Sequence, residues 1–314
     1  MKISLYTISL SGGYYRGPAV PLLDIFPKAR AWGYDGVEIE AKRPHGSPLD
    51  LDARARQKIV QVARDNGLEL SCLAAYNDFS SPIEEHRENE LLMAREQIRL
   101  AADLGIPIVR VMAAWSGVTR RDGVITYDVA RYNIDHRYPG TIFLERWNYV
   151  RDYLIEAAKW AEDMGVVLAL QNHAPIITHY KDMLDFIDEV NSPALKACLD
   201  APIMEAHGEA YYRAAITATG NRMVHTHYGG QYKRDKDGRV VRLGGKPHVV
   251  TSDDFIFLKL AKEIINFQGH NGYELCSPVV LGHRHQGLDY ALDQAKLAAE
   301  YMREIINALQ PVPA

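Results

Sequence analysis

Four short segments of the 314-residue chain end in side chains that can donate an electron pair to a cation: Leu170-Gln171-Asn172-His173, Cys198-Leu199-Asp200, His225-Thr226-His227-Tyr228 and Tyr273-Glu274-Leu275-Cys276. Each segment is an apolar run that turns polar near its C-terminal end. If the runs are strands, residues two apart share a face, so Gln171 sides with His173 and His225 with His227. Two carboxylates, one imidazole and one amide oxygen make a mixed oxygen and nitrogen donor set with open positions. Such a set suits Mn²⁺ above all, or Mg²⁺, Co²⁺ or Zn²⁺ in an open site, rather than a thiolate-bound structural zinc. Alone, a strand-end histidine is an ordinary hydrogen-bonded residue, and an Asp after a strand commonly caps the next helix. Four donors at the same end of successive strands point to one shared ion.

Those donors need a scaffold that gathers strand ends. A helix closing on a glycine corner and dropping into an apolar strand recurs at Gly33, Gly67, Gly105 and Gly165, where glycine accepts the left-handed backbone of a helix end. The spacings are 34, 38 and 60 residues, so the last unit carries an insertion of some 22 residues, placed at 114–141 and rich in Tyr, Arg and Asp. The pattern predicts strands at 2–9, 36–41, 68–75, 107–113, 166–171, 195–200, 222–228 and 272–276. Helices are predicted at 51–66, 84–104, 142–164, 180–190, 205–219, 253–268 and 286–309. Alternating strands and amphipathic helices imply parallel pairing through right-handed crossovers, and eight such units fit a single-domain (β/α)8 TIM barrel over 1–314 with an inserted loop after strand four. No Gly-x-Gly-x-x-Gly follows the first strand and no Gly-Lys-Ser/Thr loop occurs, which removes the main support for dinucleotide or nucleoside-triphosphate binding.

With 47% hydrophobic and 24% charged residues, the composition is that of a globular protein with a full core, and it excludes disorder and disulfide-stapled miniproteins. Lys plus Arg is 36 against 40 for Asp plus Glu, so a net charge of −4 offers nucleic acid no overall attraction. No apolar run approaches the roughly 20 residues of a membrane span, and Met1 to Thr7 lacks the pattern of a secretory signal. A cytoplasmic protein is expected. Cys72, Cys198 and Cys276 are widely spaced in apolar segments and read as buried reduced thiols.

Gly-Tyr-Asp-Gly-Val-Glu at 33–38, Ala-Leu-Gln-Asn-His at 169–173, Cys-Leu-Asp, His-Thr-His-Tyr and Gly-Tyr-Glu-Leu-Cys together resemble the xylose-isomerase-like TIM barrels of the sugar phosphate isomerase/epimerase superfamily, over nearly the whole chain. The resemblance implies one divalent metal ion held by Gln171, Asp200, His227 and Glu274. Many relatives carry Glu at the first of these positions. An amide brings no negative charge and accepts no proton at neutral pH, so the pair of acid–base Glu residues that the resemblance implies for epimerases is incomplete here. His173, beyond Gln171 on the same face and with an ordinary pKa near 6.5, is the replacement base, and Glu274 the other catalytic group. His225, one layer below His227, reads as a supporting core histidine or a substrate contact.

A divalent ion bridging a carbonyl and a neighbouring hydroxyl eases removal of the proton between them and stabilises the enediolate. Proton return to the adjacent carbon isomerises, return to the opposite face epimerises, and loss of a β-substituent eliminates. The expected activity is therefore of the sugar isomerase or epimerase type. The alternative is a lyase-type deglycosidase acting on a 3-oxo-(C-)glycoside, a branch of the same superfamily whose members work with a small β-rich subunit; a homo-oligomer is the other expected assembly. Tyr76, Asn77 and Trp115 are placed to bind substrate, with Tyr127, Tyr132, His136 and Tyr138 of the insertion over the mouth. Six basic residues against two acidic ones between Gly229 and Pro247, Lys233 among them, could receive an anion, although Asp237-Gly238 reads better as the turn of a solvated hairpin. His283-Arg284-His285 after strand eight has the position of a barrel phosphate loop and reads equally as plain surface.

Two other classes are weaker. Apurinic endonucleases resemble the same barrel but need further metal-binding histidines, where this chain has Tyr76, Trp115 and Ile203. A metal-free binding or scaffold protein on this fold remains the remote option, since fold does not fix function.

Overall fold

The computed structural model describes residues 1–310 apart from 116, 122–123, 128–139, 247 and 276–285. Tyr132, His136, Tyr138, Cys276 and the His283-Arg284-His285 loop lie outside the described residues. Eight strands run parallel and close on themselves: β1 Lys2–Tyr6, β2 Gly36–Glu40, β3 Glu69–Ala74, β4 Ile108–Val111, β5 Val167–Gln171, β6 Leu195–Cys198, β7 Met223–Gly229 and β8 His270–Glu274. The ring is sealed where β8 lies beside β1, with Lys2 opposite His270 and Leu5 opposite Tyr273. The helices are α1 Leu22–Ala31, α2 Ala53–Asp65, α3 Glu84–Leu104, α4 Phe143–Asp163, α5 Tyr180–Val190, α6 Glu209–Thr219, α7 Asp253–Ile265 and α8 Leu288–Ala308. This is the (β/α)8 barrel that the helix–corner–strand repeat implied.

Local chemistry explains where the elements stop. Gly105 ends α3 at φ 68°, a conformation a Cβ would penalise. Asn191 and Asn266 do the same for α5 and α7 at φ 49°, since a short amide tolerates the left-handed region. A search for glycine corners passes over both. Asp52 and Ser252 open α2 and α7 by accepting from the amides of Ala55 and Phe255. Strand β1 is shorter than predicted because Thr7–Leu10 winds into a buried 3-10 turn, whose Thr7 hydroxyl accepts from the Glu40 amide. Strand β6 ends at Cys198, and the amide of Asp200 donates to Asn172 Oδ1 at 2.6 Å instead of to the sheet.

Two excursions leave the barrel at the C-terminal ends of strands. After β4, Thr119–Arg121 pairs antiparallel with Val124–Thr126, and buried Ile125 donates its amide to Gly13 O, which pins this part of the insertion over the β1 loop. After β7, Tyr232–Arg234 pairs with Val240–Arg242 around an Asp235–Gly238 turn in which Asp235 caps two amides. Four of the six cations of this segment pair with carboxylates of the chain: Arg234 with Glu300, Arg239 with Glu304, Arg242 with Asp254 and Lys246 with Asp253. Gln294 of α8 clamps the hairpin by bonding both the amide and the carbonyl of Tyr232. Among the described residues no helix is long and apolar enough to cross a membrane.

Candidate active site

Every barrel strand faces both the inside of the cylinder and the helices, so a charged residue within one must find partners inward. Arg110 of β4 is 2% exposed and does so. Its Nη1 donates to Gln171 Oε1 at 3.1 Å and its Nη2 to the Tyr6 hydroxyl at 2.8 Å, while its guanidinium lies 5.0 Å from the Tyr76 ring centre. The Tyr6 and Tyr76 hydroxyls are hydrogen bonded to each other.

This pairing orients Gln171. Its Nε2 donates to Asp200 Oδ2, and a flipped amide would set its NH₂ against the guanidinium and its oxygen against a carboxylate. The amide oxygen that the resemblance offers to a metal accepts from Arg110 in this structure.

Asp200, just after β6, and His227 and Glu274, of β7 and β8, bring ligand atoms within 4.8 Å of one another. His227 Nδ1 lies 2.9 Å from Asp200 Oδ2, and Asp200 Oδ1 is buried without a partner among the described residues. Two carboxylates and one imidazole with an orphaned oxygen fit a divalent cation. The electrostatics agree. Burial pushes the Glu274 carboxyl up to about 7, reinforced by Asp200 and opposed by His227 and Arg110. Burial would also raise Asp200, but the His227 imidazolium and the Gln171 amide hold it below its ordinary value. Burial works against a charged His227 as well, yet Glu38, Cys198 and Asp200 raise it well above 6.5.

Glu38 lies in the middle of β2, apart from the strand-end donors that the sequence points to. It is wholly buried and accepts from His225 Nε2 at 2.9 Å and from His227 Nε2 at 3.1 Å. His225, expected as a substrate contact or a supporting histidine, is 0% exposed and bonded to Glu38, with its ring edge-on to that of His227 at 4.9 Å. The signals for Glu38 and Arg110 are charges inside buried strands: Gly-Val-Glu-Ile-Glu, which carries a second Glu at its end, and Ile-Val-Arg-Val.

The rim is aromatic. Trp115 sits 5.6 Å from Tyr76, 6.5 Å from Tyr127 and edge-on to His173 at 5.2 Å. His173 Nδ1 donates to the Ala174 carbonyl at 2.6 Å, which leaves Nε2 as the basic nitrogen. Burial lowers its pKa, so the ring is neutral at pH 7. Asn77 is fully buried and neither atom of its side-chain amide has a partner among the described residues, while its backbone carbonyl accepts from Trp115 N at 2.7 Å. Lys233 is not gathered with these groups: it stands exposed on the hairpin after β7.

Gly272 of β8 leaves the space in which Glu38 and His227 meet. A Cβ there would lie 2.5 Å from Glu38 Oε2 and 2.9 Å from His227 Cδ2. Gly272→Ala is expected to destabilise the fold by about 1–3 kcal/mol through overpacking, read as a lower urea midpoint; an unchanged midpoint would mean the pair has slack.

The model of the xylose isomerase-like TIM barrels matches residues 26–305. The chain belongs to this family. It is 24% identical over 325 residues to fructoselysine 3-epimerase of Shigella flexneri, covering 99% of each chain. Its fold is similar to that of D-psicose 3-epimerase in the presence of D-fructose, at TM-score 0.72 and 16% identity over 98% of this chain and 99% of that one. It is also similar to the apo form of 3-keto-D-glucoside 4-epimerase from E. coli, at TM-score 0.67 and 19% identity over 96% and 99%.

Proposed function

We propose that this xylose isomerase-like barrel is a divalent-metal-dependent enzyme of the sugar epimerase type, removing a proton next to the carbonyl of a ketose-like substrate. The observation that carries the reading is the convergence of Asp200, His227 and Glu274 beneath an aromatic rim that includes a neutral His173. These three residues would hold the ion, and Mn²⁺ fits their donor chemistry. The ion would supply Lewis acidity to the carbonyl and its neighbouring hydroxyl. Glu274, a carboxyl with a pKa pushed toward neutrality, and His173 Nε2 exchange the substrate proton. Gln171 takes no part in proton transfer; its amide steers Asp200 while Arg110 holds its oxygen. Tyr76 and Trp115 stack on the sugar and Asn77 offers it hydrogen bonds.

A second reading, elimination of the aglycone from a 3-oxo-glycoside, is favoured by one observation. Gln171 cannot serve as the second carboxylate base of a two-Glu epimerase, and the imidazole at the rim is suited to a proton on a bulkier substrate. The relatives named for fructoselysine and for a 3-keto-glucoside are likewise proteins named for substituted sugars.

The test is incubation with Mn²⁺ in deuterated water and a panel of free ketoses, sugar phosphates and 3-oxo-glucosides. Deuterium in recovered sugar without aglycone release is expected of the epimerase, and aglycone release marks the lyase. A protein that binds no divalent ion and incorporates no deuterium from any of the panel would be a scaffold.

A further inference from the structure

The charged residue of the Gly-Val-Glu segment at 36–38 has no part in the proton chemistry above, yet it is wholly buried against the histidines of the site. Glu38 is 0% exposed and reaches across the cylinder from β2 to β7, which is separated from β2 in the ring by β1 and β8. Both its oxygens lie 3.1 Å from His227 Nε2, and Oε2 lies 2.9 Å from His225 Nε2. A carboxylate only accepts, so each imidazole must present Nε2–H to it. On its other edge, His227 turns Nδ1 to Asp200 Oδ2 at 2.9 Å, and Asp200, His227 and Glu274 bring ligand atoms within 4.8 Å of one another. The Tyr6 ring, stacked 5.8 Å from the imidazole at 22°, restrains its tilt. The two nitrogens thus have different partners, and the difference is made by a residue that does not face the substrate.

We infer that Glu38 is a positioning residue that fixes the ring orientation and tautomer of His227, so that Nδ1 is the nitrogen offered to the metal and Nε2 keeps its proton. Carboxylate partners of metal-binding histidines set ring orientation and raise ligand basicity, and their loss commonly weakens metal binding 10–100-fold. Glu38→Gln keeps the shape but breaks the symmetry of acceptance: the amide has one oxygen for two Nε2–H donors, and its NH₂ opposes the other. His225 then serves as a brace, holding the second lone-pair direction of the carboxylate, and Gly272 as the gap that lets the three groups approach.

This inference rests on the metal-dependent reading above, and its test separates the two. Mn²⁺ affinity is measured by titration calorimetry on the full chain for wild type, Glu38→Gln and Asp200→Asn, with thermal melts to confirm folding. Expected are one ion per wild-type chain, about 10–100-fold weaker binding in Glu38→Gln, and at least as large a loss in Asp200→Asn. In Zn²⁺-loaded wild type, long-range ¹⁵N–¹H spectra should show His227 protonated on Nε2 and metal-bound through Nδ1, a signature that general packing would not produce and that needs no variant to fold. Equal affinities in wild type and Glu38→Gln, metal on Nε2, or two ions per chain would overturn the assignment, the last because Glu38, His225 and His227 would then be ligands themselves. A wild-type chain that binds no divalent ion would instead remove the functional reading, and this inference with it.

Discussion

Replacing Glu274 with glutamine is expected to lower turnover by about 10²–10⁴-fold, the range for loss of an acid–base group, and also to make the metal-free protein more stable at pH 8. The second effect follows from the first group's burial. Its folded pKa of about 7 lies above the ordinary 4.5, so its contribution to stability is fully present below about pH 4.5 and is lost as pH rises through about 7. At one pKa unit per 1.36 kcal/mol, the ionised carboxylate costs about 3 kcal/mol in the absence of a cation. Glutamine carries no such penalty. Asp200 and Glu38, both held below their ordinary values against the pull of burial, act in the opposite sense: their stabilisation is present above the ordinary carboxylate range and lost as pH falls through their depressed values. The two windows do not coincide. Thermal melts in a chelator should therefore show the variant above wild type at pH 8 and level with it near pH 4.5, while Mn²⁺ binding is weaker. Melting temperatures that match at pH 8 would show that the carboxyl is not penalised there, and wild-type turnover would remove Glu274 from the chemistry.

His173→Ala is the second large effect, a loss of at least about a hundredfold in turnover with Mn²⁺ affinity within a few-fold of wild type. The two readouts divide because His173 is absent from the Asp200, His227 and Glu274 donor set. Its Nδ1–H is committed to the Ala174 carbonyl, and burial keeps the ring neutral, so Nε2 is a free base across the neutral range. Deuterium exchange into substrate should fall in parallel with turnover if the imidazole moves the proton. A purely orienting histidine would instead raise KM and leave the exchange-to-turnover ratio and kcat near wild type, and that result would return the role of base to some other group.

The two variants also bear on Gln171. In the sequence it stands as a fourth ligand with one charge too few. In the folded chain its amide spans a guanidinium and a carboxylate, which fixes the direction of both its ends. The same Arg110 bonds Tyr6 and lies over Tyr76, so the end of Gln171 opposite its bond to Asp200 meets a cationic and aromatic cluster.

What the sequence determined by itself was periodic or local. Helix–corner–strand units, the eightfold count and the polar residues ending β5 to β8 are written within stretches of ten to forty residues, because helix and strand periods and left-handed corners are set by near neighbours. Asp200, His227 and Glu274 were legible for the same reason: a parallel barrel puts every strand's C-terminal end at one mouth. Tertiary structure alone decided who meets whom inside the cylinder. Glu38 lies 187 residues from His225 and 189 from His227 in the chain, and Arg110 lies 61 from Gln171 and 104 from Tyr6. Strand periodicity says that such a charge faces inward or outward but not which inward group opposes it, since that depends on closure of the ring and on the depth of each side chain within it. The partners of Gln171 and His225 follow from those pairings, because a buried polar group must be satisfied by whatever group the closed ring brings against it.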